Sequence, residues 1–131
     1  GGSIGFGMPV AIGAAVACPD KKVISLEGDG SAMYTVQSLW TMARENLDIV
    51  VLIFANQSYK ILQGELTNVG VTNPGKSALE MLSLKDPSLD WVSVSKGMGV
   101  DAVRVDNIED LVKNFKHGLK DKGPFLIEVM I

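Results

Sequence analysis

Unbroken apolar runs alternate along this chain with stretches in which apolar positions recur every three or four residues, a rhythm that predicts a parallel sheet packed between helices. The clearest strand is Ile49–Ala55, apolar throughout and rich in β-branched side chains, as a strand covered on both faces requires. Val23–Glu27 is a shorter strand, Ala102–Val105 another, and Pro124–Ile131 the last. Between them, Met8–Cys18 reads as a helix of small residues with Pro9 in its first turn. Val36, Leu39, Trp40 and Ala43 recur at helical spacing, with Arg44 and Glu45 on the polar side and Asn46 placed to end the helix. Tyr59–Asn68 continues as a helix despite Gly64, and Trp91, Val94, Ser95 and Met98 mark another, closed by Gly97 or Gly99. Asn107 is a cap for Ile108–Lys120, whose Leu111, Val112, Phe115 and Leu119 form an apolar stripe. Residues 69–87 break the rhythm with turn signals at Gly70, Asn73-Pro74-Gly75 and Asp86-Pro87, predicting a long loop with one short helix near Ser77–Leu82.

The expected fold class is therefore α/β: a three-layer αβα arrangement in which an open, mainly parallel sheet carries helices on both faces. Ligands in such sheets sit beyond the carboxyl ends of the strands. A length of 131 residues suits one domain. The opening Gly1-Gly2-Ser3-Ile4-Gly5-Phe6-Gly7 has no strand before it, which suggests a piece of a longer polypeptide.

Composition narrows the chemistry. Hydrophobic residues make up 47% and charged residues 21%, the balance of a globular protein. No apolar stretch reaches the roughly 18 residues that a bilayer demands, and no signal-peptide pattern opens the chain. The single cysteine, Cys18, cannot form an internal disulfide, which fits a reducing, cytoplasmic setting. A formal charge of -3 and scattered basic residues argue against a nucleic-acid partner. His117 is the only histidine, so zinc sites and triads that need one lack a ligand or base, and it reads as an exposed residue of the last helix.

Gly28-Asp29-Gly30-Ser31 ends the Val23–Glu27 run, and Asn56 ends the Ile49–Ala55 run. The interval between them accommodates a turn, a helix and a parallel strand, which would bring Asp29 and Asn56 to one sheet edge as hard oxygen ligands for a cation and a diphosphate. By itself Asp29-Gly30 is a common turn. Here the turn feeds a helical period, so free N–H groups would face whatever lies beyond the sheet. A dinucleotide fingerprint fails because Met33 takes the place of the third glycine and Asp48 precedes the second strand rather than closing it. A Walker loop is absent from the sequence.

With these residues in hand, the chain resembles the C-terminal diphosphate-binding domain of thiamine-diphosphate-dependent enzymes, in the branch of acetolactate synthase, pyruvate decarboxylase and benzoylformate decarboxylase. Three blocks carry the likeness: Gly28-Asp29-Gly30-Ser31 with Asn56, the leading Gly2-Ser3-Ile4-Gly5-Phe6-Gly7-Met8-Pro9, and the closing Gly123-Pro124-Phe125-Leu126-Ile127-Glu128-Val129. It implies that Mg2+ is bound by the side chains of Asp29 and Asn56 and the backbone carbonyl of Ser58, with diphosphate oxygens and water completing the octahedral set. Gly30 and Ser31 would donate to the diphosphate, helped by the backbone near Tyr59, while Gly28 and Gly30 keep side chains out of the way. The carbonyl of Gly2 would meet the aminopyrimidine of thiamine diphosphate, and Ile4 would be the wedge that holds the cofactor bent. The competing reading of Ile4 and its glycines is a tight, small-residue turn before a helix.

The resemblance further implies a 2-oxo acid decarboxylase or carboligase, acetolactate-synthase-like, with a benzoylformate- or pyruvate-decarboxylase-like lyase and a non-catalytic module as alternatives. The activating glutamate has no match here and belongs to a pyrimidine-binding domain of the same or a neighbouring subunit. The isolated chain is thus expected to be inactive, and the full enzyme a homodimer or homotetramer with its apolar interface around Ile4, Phe6 and Met8. Ile61, Leu62 and Glu65 stand where the family borders its small 2-oxo acid substrate. Glu65 replaces the aromatic residue of benzoylformate decarboxylase, which counts against an aryl substrate, although it equally reads as a solvated helix charge.

Overall fold

The computed structural model describes residues 3–131. In chain order the elements are α1 (Gly7–Ala17), β1 (Val23–Gly28), α2 (Asp29–Met33), α3 (Ser38–Arg44), β2 (Ile49–Ala55), α4 (Lys60–Asn68), α5 (Lys76–Met81), α6 (Trp91–Gly97), β3 (Asp101–Val105), α7 (Ile108–Lys120) and β4 (Phe125–Met130). The strands form one sheet in the order β1-β2-β4-β3, every pair parallel.

Alternate side chains of the inner strands feed two cores. Ile49, Val51, Ile53 and Leu126 join Met8, Leu39, Met42 and Trp91 on one face, under α1, α3 and α6. Val50, Leu52, Ile127 and Val129 pack with Leu111 and Phe115 of α7 on the other. Full burial of each such side chain is worth about 1.5–3 kcal/mol, so β2, buried at six of its seven positions, anchors the sheet. The expected three-layer α/β architecture is present. Gly118 lets α7 lie close, since a Cβ there would stand 2.9 Å from the Phe125 ring and 3.1 Å from Val50. The predicted stripe of α7 is wider than its contact: Leu111 and Phe115 reach the sheet, while Val112 and Leu119 are exposed. Asn107 caps α7 as expected, accepting the Asp110 N–H at 2.8 Å. His117 is exposed on that helix, its ring edge-on to Phe125.

Three expectations change here. The helix foreseen after Gly28-Asp29-Gly30 is two short ones, because Tyr34, Thr35, Ser38 and Leu39 hydrogen-bond three residues back rather than four, as in Tyr34 N–H to Ser31 O and Thr35 N–H to Ala32 O. Thr35 and Val36, adjacent β-branched residues, are poor helix formers at the break. The loop at 69–87 is also more ordered than predicted. After α5 the chain runs antiparallel to the turn that follows β2, with Tyr59 N–H donating to Leu82 O and Leu84 N–H to Gln57 O, both at 2.9 Å. Met8 is fully buried in the core, so it forms no part of an exposed interface, whereas Ile4 and Phe6 are exposed. At the amino edge of the sheet, Asp48 takes both Lys22 and Lys122. Among the described residues no helix is long and apolar enough to cross a membrane.

Candidate functional site

β1 and β2 end side by side, Gly28 in register with Phe54, so the residues just beyond them meet at the carboxyl edge. Asp29 is 3% exposed there. Its Oδ1 accepts the Gly30 N–H at 2.9 Å, and its Oδ2 accepts the Gln57 N–H at 2.7 Å, which ties the carboxylate to the turn that begins at Asn56. Asn56 Oδ1 in turn accepts the Ser58 N–H at 2.9 Å, an Asx turn. Gln57 holds a left-handed φ of 55°, unusual for a residue with a side chain, and both its backbone polar groups are engaged, by Asp29 and by Leu84.

Burial pushes the Asp29 carboxyl above the usual carboxylate range, and the N–H groups of Gly30, Gln57 and Asp29 itself pull it partly back. Among the described residues it enters no ion pair. A buried carboxylate without a countercharge is costly, and each of its oxygens keeps a lone pair beyond the one used. That donor set fits a hard cation. Among the described residues no three His, Cys, Asp or Glu side chains gather, so such a cation would rest on Asp29, neutral oxygens such as those of Asn56 and Ser58, and oxygens of its ligand, as Mg2+ does.

Asp29, Asn56 and Ser58 line a cleft of about 200 Å3. Gly28, Gly30 and Ser31 line it too, and Ile4, Ile61 and Leu62 supply its apolar part. Ile4 is 46% exposed. The structure thus gathers Ile4, Gly28, Gly30, Ser31, Tyr59, Asp29, Asn56, Ser58 and Leu62 around one space. Gly2 lies outside the described residues. Tyr59 contributes through its ring, which covers Gly30 and meets Tyr34 edge-on, since its own N–H is taken by Leu82. Glu65 is set apart: it borders a neighbouring apolar hollow between α4 and α5, shared with Leu62, Leu66, Val69 and Met81, and accepts from Asn68 at 3.2 Å.

Sequence reasoning missed three participants. Lys60 is the one cation among the cleft-lining residues, legible only as a basic residue after Tyr59. Thr35 donates to Gly5 O at 2.7 Å, a link between distant segments that nothing local signals. Glu27 is buried against Gly7, where any Cβ would collide with its carboxylate. Burial raises its pKa, opposed by the Ser25 hydroxyl. A charge closing a buried apolar run, just before Gly28, was the available clue.

The sequence model of the family described as thiamine pyrophosphate enzyme, C-terminal TPP binding domain, matches residues 1–129. A Mycobacterium tuberculosis protein with the provisional name acetolactate synthase large subunit IlvX is 47% identical over all of this chain and 26% of its own length. Benzoylformate decarboxylase of Pseudomonas aeruginosa is 36% identical over 98% of the chain and 23% of its own. The solved thiamine diphosphate-dependent 4-hydroxybenzoylformate decarboxylase of Rhodococcus jostii RHA1 superposes with a TM-score of 0.86 at 36% identity, over 97% of this chain and 23% of that one. The chain spans about a quarter of the length of these relatives. It belongs to the thiamine pyrophosphate enzymes and corresponds to their C-terminal TPP binding domain.

Proposed function

We propose that this chain supplies the Mg2+ and diphosphate half of the cofactor site in a thiamine-diphosphate-dependent 2-oxo acid decarboxylase or carboligase, acetolactate-synthase-like in kind. The observation that carries the reading is the buried, uncompensated carboxylate of Asp29, hydrogen-bonded to the Asn56 turn in a cleft that apolar side chains also line. Asp29, Asn56 and the Ser58 carbonyl would hold the cation, and Lys60 would offset remaining diphosphate charge. Bound thiamine diphosphate supplies an electron sink for cleavage beside a carbonyl. The chain's own residues bind, orient and keep water away, with Ile4, Ile61 and Leu62 as the dry wall.

The 47% identity to the IlvX protein favours the acetolactate-synthase-like variant. The resemblance to benzoylformate decarboxylases supports the lyase alternative, and Glu65, beside the cleft rather than in it, leaves less reason to exclude an aryl substrate. A pyrimidine-binding domain elsewhere would bring the activating glutamate, in a homodimer or homotetramer. An exposed, unpaired Cys18 accords with a reducing, cytoplasmic setting. Calorimetry tests the core of the reading. Thiamine diphosphate with Mg2+ should bind the wild-type chain and lose its binding in Asp29→Ala and Asn56→Ala, and identical traces from all three proteins would reject it.

A further inference from the structure

Gly5 has both of its backbone polar groups held by side chains from a remote part of the chain. Its N–H donates to Ser31 Oγ at 3.1 Å, and its carbonyl accepts from Thr35 Oγ1 at 2.7 Å. Its φ of +86° suits glycine, and a Cβ there would stand 2.5 Å from the Tyr34 Cβ, so the segment has no room to shift toward α2. Two hydroxyls and one close approach therefore set the position of the neighbouring Ile4, which lines the same cleft as Asn56 and Ser58. Ser31 lines the same cleft, whereas Thr35 does not.

We propose that Thr35, acting with Ser31 through Gly5, is a positioning residue that sets the apolar Ile4 wall at the height where the organic part of a diphosphate ester is gripped. The inference rests on the cofactor reading above and deepens it. The polar lining of the cleft comes from Asp29, Asn56 and Ser58, none of which Thr35 hydrogen-bonds. Its Ile4 wall depends on a loop that these hydroxyls hold in place. Losing the Thr35 hydroxyl frees the Gly5 carbonyl and lets Ile4 drift, which weakens contact with a ring system and leaves contact with a bare diphosphate untouched. Ser31 both lines the cleft and holds the loop, from one short helix.

The test compares two probes, inorganic diphosphate and thiamine diphosphate, each with Mg2+, by calorimetry on the wild-type chain, Thr35→Val and Thr35→Ser, after melting curves confirm that each variant is folded. The wild type should bind thiamine diphosphate more tightly than inorganic diphosphate. Thr35→Val should weaken thiamine diphosphate about tenfold, the effect of losing one positioning hydrogen bond, and leave inorganic diphosphate within about twofold. Thr35→Ser should recover the wild-type preference. Equal losses for both probes, no loss for either, or no preference in the wild type would overturn the positioning role while leaving the diphosphate site standing. Failure of the wild type to bind either probe would bring down the cofactor reading and this inference with it.

Discussion

A Cβ at position 30 would stand 2.7 Å from the Tyr59 ring, whereas one at position 28 would meet nothing within 4 Å. The two glycines of one motif therefore make room for different things, protein in one case and the open cleft in the other. Gly30→Ala should displace Tyr59 and cost about 1–3 kcal/mol of stability. Gly28→Ala should melt within about 0.5 kcal/mol of the wild type yet bind Mg2+ and diphosphate at least tenfold more weakly, because its methyl enters the space the ligand needs. Melting curves paired with calorimetry separate the two, and unchanged binding in Gly28→Ala would show that the ligand does not approach there. Both glycines were legible as a demand for bare backbone; which partner each admits was not, because Tyr59 arrives from the other strand end. Away from the cleft, desolvation pushes the Asp48 carboxyl up, but the hydrogen bonds and charges of Lys22 and Lys122 outweigh it and hold the group below its usual 3.8. A depressed pKa in the folded state stabilises above the unfolded value and is lost as pH falls through the folded one. Asp48→Asn should thus cost about 1–2 kcal/mol at pH 7, with the gap to wild type closing below pH 3.8.

Neither α4 nor α5 has a single buried residue, although Leu62, Leu66, Val69 and Met81 present apolar surface between them. Their attachment to the domain runs through the residues after α5 that brace Gln57 and Tyr59, rather than through a core. Hydrogen exchange should accordingly find the amides of α4 and α5 opening far more readily than those of β2 and β4, whose side chains are buried on both faces. Protection in α4 equal to that of β2 would contradict this. Periodicity revealed β2 and the cap of α7 because burial and capping act on adjacent residues. It joined α2 and α3 into one helix because apolar spacing runs on across Thr35 and Val36, where the backbone turns more tightly and the Thr35 hydroxyl bonds to the distant Gly5.

The molecule as a whole holds one half of a proposed site and exposes apolar residues around it, with Ile61 73% and Met81 79% exposed. The purified chain, given Mg2+ and thiamine diphosphate, should bind yet release no carbon dioxide from pyruvate or benzoylformate. Measurable decarboxylation would show that the glutamate expected elsewhere is dispensable. Fold class and the pairing of Asp29 with Asn56 were readable because parallel connectivity forces successive strand ends to one edge. The separation of Glu65 from the cleft was not, since it depends on how α5 folds back. The final strand, β4, is wedged between β2 and β3, so the left and right portions of the sheet stay unjoined until Phe125–Met130 is available. On the ribosome this seam must wait until Phe125–Met130 has emerged, and any version cut before it would present two naked, apolar strand edges to its neighbours, a recipe for clumping instead of partial activity.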